Sequence, residues 1–73
     1  MANWDNSANS QMAGVKAAAN ASDAQMATLM QQISAWANAN PNGSTHIPFG
    51  TQRDHAVNVV TSGGWIKSVS YGT

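Results

Sequence analysis

Between Met12 and Trp36, residues recur at heptad a and d spacing: Met12, Val15, Ala19, Ser22, Met26, Leu29, Ile33 and Trp36. About four heptads of this pattern is what two helices need to pack along a shared seam. The middle of the seam is small, at Ala19 and Ser22. Small side chains at a seam let another backbone approach closely. Nothing else in the chain is so regular, and the remainder must be organised around this stretch.

The surrounding residues set the helix limits. Ala, Gln, Met, Leu and Lys dominate residues 7–39 and favour helix. Asn3, Asp5 and Ser7 are candidate N-caps, and Trp4 can staple the helix start or anchor a neighbouring chain. Gly14 costs about 1 kcal/mol relative to Ala and offers a point of close approach. Asn40 precedes Pro41, which disfavours helix at Asn40. The weak point is Asn20-Ala21-Ser22. Ser22 and Gln25 have capping-box spacing, and Asp23 suits a first helical turn. The alternatives are two helices joined at Asn20 to Ser22, or one long helix, continuous or mildly kinked there. The unbroken heptad phase and the lack of Gly or Pro favour one helix. Such a helix, of roughly 33 residues, is about 50 Å long. A compact chain of this size has a radius of gyration of about 11 Å. A single helix would therefore leave part of its seam for a partner.

The second half differs in composition. Asn42-Gly43 offers a turn. Residues 40–54 show no periodicity and read as an irregular linker, with Ile47 and Phe49 folding back on the helix. Residues 55–71 read as a β-hairpin: Ala56 to Thr61, a turn at Ser62-Gly63-Gly64, and Trp65 to Tyr71. A three-residue loop places Val57, Val59, Trp65, Val69 and Tyr71 on one face, with Lys67 an exception there. Asn58, Ser68 and Ser70 fall on the other, with Val60 and Ile66 as exceptions. The predicted class is α+β, a single small domain over 1–73: helix 7–39, loop 40–54, hairpin 55–71.

Composition excludes more than it assigns. The 73 residues contain no Cys, so neither a disulfide nor a thiolate zinc site is available. Charged residues are 8%, with three basic, three acidic and net charge zero; ordinary soluble domains carry about 25%. Lys16, Arg53 and Lys67 are too few and too scattered to replace phosphate counterions, which argues against nucleic acid. The same scarcity argues against an anionic membrane surface. No run of apolar residues is long enough to span a bilayer. The first residues, Met1 to Asp5, lack the basic and apolar regions of a cleavable secretory signal.

The chemistry-bearing side chains are sparse. His46, His55 and Asp54 could supply metal ligands, but their spacing matches no zinc motif. No Gly-x-Ser-x-Gly elbow exists, and adjacent Asp54 and His55 point to opposite faces of a strand. Ser62-Gly63-Gly64 lacks the Lys and following helix of a phosphate loop. Arg53 and Asp54 read as an ion pair. No enzyme, metal or cofactor is expected.

These observations lead to a non-enzymatic structural subunit that self-assembles into a larger particle or filament, in a virion or an extracellular or secretion appendage. Its partners are copies of itself or other subunits of one assembly, without nucleic acid and without membrane insertion. The expected interface is the seam itself, together with Trp65 and Tyr71. The alternatives are an adaptor or accessory subunit that binds a different protein through the seam, and a secreted membrane-active peptide. The low cationic charge disfavours the last.

Overall fold

The helical stretch breaks at Asn20. In the structure, a computed structural model that describes residues 3–73, α1 spans Asn6–Ala19 and α2 spans Asp23–Ala39. The reading of Met1 and Ala2 lies outside the described residues. Asn20 is left-handed (φ 53, ψ 48), a conformation that Asn tolerates better than most non-glycine residues. Its N–H donates to Ala17 O at 3.3 Å, and Ala21 N–H donates to Lys16 O at 3.1 Å. These are the two bonds of a Schellman motif. Ser22 then caps α2: its Oγ accepts from Gln25 N–H at 3.1 Å, and Gln25 Oε1 accepts from Ser22 N–H at 2.8 Å. Asn20 thus provides the turn without Gly or Pro. The expectation of one continuous helix is corrected to two helices joined at Asn20–Ser22.

That break changes what the seam meets. The molecule measures 31 × 21 × 18 Å, so the helical half is folded up within the chain rather than extended. Met12, Val15, Ala19, Met26, Leu29 and Ile33 are all buried inside one chain. With Ala8 and Ala37 they cover one face of a four-stranded sheet of order β1-β4-β3-β2. Its strands are β1 (Asn3–Trp4), β2 (Gly43–Pro48), β3 (Ala56–Ser62) and β4 (Trp65–Gly72). The sheet contributes Val57, Val59, Ile66 and Val69 to the same core. Each fully buried aliphatic side chain contributes about 1.5–3 kcal/mol. The expectation that the seam exceeds what the chain can cover does not hold, because the sheet covers it.

The small centre of the seam has a local cause. The loop at Gly50 packs against Ala19: a Cβ on Gly50 would lie 3.3 Å from Ala19 Cβ. Gln52 Nε2 donates to Ala18 O at 3.3 Å in the same contact. Ser22 is exposed as the α2 cap. Gly14 lies on an open surface with nothing nearby.

The linker is more regular than its sequence suggests. Gly43–Pro48 is an edge strand, antiparallel to β3. Thr45 and Ile47 are half-buried toward the core, while Ser44, His46 and Pro48 are exposed. Thr61, the buried polar residue of the core, holds the start of this strand. Its hydroxyl donates to Asn40 O at 2.6 Å and accepts from Gly43 N–H at 3.0 Å. The alternation is short and ends in Pro48, which conceals it in the sequence.

The hairpin forms where expected, with a different turn and register. The loop is Gly63-Gly64, both with positive φ, between paired Ser62 and Trp65; two-residue hairpins of the I′ type require this at both positions. Val60 then faces Ser68, but Thr61 faces Ile66, so Lys67 is an extra residue on β4. Such a bulge reverses the facing of everything before it. Ile66 is fully buried, whereas Trp65 is 43% exposed. The faces assigned to Trp65 and Ile66 are therefore exchanged, and Tyr71 is half-buried at the core rim.

Candidate interaction surface

The helices cover one face of the sheet, so the other is bare. Cross-strand pairing builds it from the rows Ser44–Val60–Ser68, His46–Asn58–Ser70 and Pro48–Ala56–Gly72, with Ser62 beside Trp65. These rows hold no Asp, Glu, Lys or Arg. His46 Nδ1 and the Asn58 side-chain oxygen are in hydrogen-bond contact across one row. Among the described residues, Val60 and Trp65 are the exposed large hydrophobics, at 42% and 43%. Lys67 Nζ lies 5.9 Å from the Trp65 ring centroid, within cation–π range.

The two sheet edges are treated differently. At β4, strand β1 pairs in parallel with Trp65 and Ile66. Asp5 N–H then donates to Ile66 O at 3.0 Å, and Val69 N–H donates to Gln11 Oε1 at 2.8 Å. Helix α1 thus takes over where β1 ends. Trp4 ties this corner to α2 through Nε1, which donates to Ser34 Oγ at 3.3 Å. At the other edge, β2 pairs with β3 alone among the described strands. Exposed edges present unpaired backbone groups to other chains. β2 carries no charged side chain and is blunted only by Pro48 at its end.

Compared with known families, curated proteins and solved structures, the chain matches none. The surface must therefore speak through its own chemistry.

The remaining candidate residues are dispersed. His55 sits in the loop after β2, where Nδ1 is 2.9 Å from Arg53 O and the ring tilts against Tyr71 at 5.4 Å. Among the described residues no cluster of three His, Asp or Glu could hold a metal ion. Arg53 and Asp54 form no ion pair with each other among those residues. Cations pair instead as Lys16–Asp23 at 2.6 Å and Lys67–Asp5 at 3.6 Å. Lys16 holds the Asp23 carboxyl below its ordinary value, first through their hydrogen bond and then through charge. An open groove of about 560 Å³ runs between Thr28, Leu29 and Gln32 of α2 and the Pro48–Thr51 segment. No helix is long and apolar enough to cross a membrane, among the described residues.

The expected interface residues thus divide. Met12, Val15, Ala19, Met26, Leu29 and Ile33 form the interior, Trp36 and Tyr71 its rim, and Ser22 a cap. Trp65 alone among them lies on the bare face. Sequence reasoning misses Ser44 and His46 of that face because it reads their strand as a loop.

Proposed function

We propose that the chain is a non-enzymatic structural subunit that packs against copies of itself through the bare sheet face and the β2 edge. The observation that carries this reading is the exposed pair Val60 and Trp65, set among Ser, Asn and His side chains with Lys67 beside the Trp65 ring. Apolar anchors inside a polar surround of low charge are typical of interface centres. A net charge of zero adds no long-range repulsion between copies. The β2 edge offers main-chain hydrogen bonds for extending the sheet from one copy to the next. A particle or filament, virion component or extracellular appendage, is the kind of assembly in which such a surface serves. In this reading the seam is not the contact, because Met12, Val15, Ala19, Met26, Leu29 and Ile33 are buried within the chain.

Sedimentation velocity over a wide concentration range, with electron microscopy of the concentrated sample, tests the proposal. Concentration-dependent growth is expected, and Val60→Lys with Trp65→Ser should abolish it while leaving the fold intact. A wild-type protein that stays a monomer at the highest concentrations overturns it.

A further inference from the structure

Asn42-Gly43 is the one Asn-Gly pair in the chain. In a flexible chain this pair is chemically unstable, because Gly43 leaves its own backbone nitrogen free to reach the Asn42 carboxamide. We infer that Asn42 is a masked self-modification site, kept unreactive by Thr61 and released when the start of β2 opens.

The chemistry requires only water. The Gly43 nitrogen attacks Asn42 Cγ and loses its proton; the C–N bond to the side-chain amide breaks, and ammonia leaves. The resulting five-membered succinimide adds one water and reopens at either carbonyl. The products are aspartate or isoaspartate in place of Asn42. No oxidant, reductant or second protein takes part.

The fold acts on each reacting group. Asn42 Oδ1 accepts from Gly63 N–H at 2.7 Å. A donor on that oxygen polarises the carboxamide and by itself favours attack. The restraint is therefore at the nucleophile. Gly43 N–H donates to Thr61 Oγ1 at 3.0 Å, and Gly43 is held in register with Thr61 as the first residue of β2. The nitrogen is thus tied into the sheet, with its hydrogen committed to Thr61. Strand ends open at lower free energy than strand centres, so exposure of this nitrogen is a local event. An isoaspartate would add a methylene to the main chain immediately before β2, and the strand start could not re-form in register. The step is one-way.

Peptide mapping by mass spectrometry at mildly alkaline pH, on the full chain folded and in urea, tests this. Deamidation at Asn42 should be at least about tenfold slower in the folded protein, consistent with a local opening equilibrium. The ratio of the two rates should match the hydrogen-exchange protection of the Gly43 amide in the wild type. Thr61→Val, which lacks the acceptor, should accelerate the reaction, whereas Thr61→Ser, which keeps it, should not. Equal rates in folded and unfolded protein overturn the inference. Reaction at Asn42 while the Gly43 amide stays protected also overturns it, as does equal acceleration by both Thr61 variants.

Discussion

The Tyr71 hydroxyl lies 2.7 Å from where a side chain on Gly50 would begin. The same hydroxyl donates to Phe49 O at 2.8 Å, and the Tyr71 ring meets Phe49 edge-on at 6.4 Å. One tyrosine at the end of β4 therefore fixes the loop that follows β2. Gly50 is also left-handed, at φ +77, so Gly50→Ala combines strain with a clash. It should destabilise by about 1–3 kcal/mol, read from urea unfolding. In a Tyr71→Phe background the cost should fall, because the atom in the way is gone. Additive costs would show that the hydroxyl does not limit this position.

The bulge at Lys67 sets a contrast between neighbours. Ile66→Ala empties a fully buried site and should cost about 2–5 kcal/mol. Trp65→Ala should cost under about 1 kcal/mol, since it removes a surface side chain. Chemical denaturation of the two variants at a concentration where the wild type is monomeric checks the order. A flat hairpin would give the reverse.

The cap between the helices is separately accessible. Ser22→Ala removes the acceptor for Gln25 N–H and should cost about 0.5–2 kcal/mol. Ser22→Asp should retain most of the stability, because its carboxylate can accept the same bond. Thermal unfolding followed by far-ultraviolet dichroism measures both.

Asp23 provides a pH readout across the Asn20 break. Its carboxyl titrates below the ordinary carboxylate value because Lys16 bonds and attracts the charged form. With the folded pKa lowered, the interaction is present above the unfolded value and is lost as pH falls through the folded one. Lys16→Gln should raise the Asp23 midpoint back toward the ordinary range, as followed by carboxyl NMR. The pair is solvent-exposed, so the titration shifts while global stability changes little.

Much of the architecture was legible in the chain. Capping spacing at Ser22 and Gln25, the stop at Pro41 and the two glycines at 63–64 all report local interactions, and local interactions leave local signals. The choice between one helix and two was not decided by periodicity. Heptad phase survives the break because both helices turn the same stripe toward one sheet. The missing features were non-local. β2 is a strand because β3 lies beside it and Thr61 holds its start. Trp65 and Ile66 exchange faces because one extra residue is accommodated against Val60 and Thr61 on another strand. The bare face could not be seen without β2, and Val60, an exception in the sequence pattern, is with Trp65 one of its large exposed hydrophobics.

The parallel pairing of β1 with β4 also gives the molecule two poles. Asn3 N–H donates to Gly64 O at 3.3 Å, beside the hairpin turn, while Gly72 pairs with Ala56 at the other end of the sheet. Asn3 and Gly72 therefore stand at opposite ends of the sheet. The long axis of the sheet thus runs from the β1 start beside the hairpin turn to the end of β4, with the bare face spanning the length between.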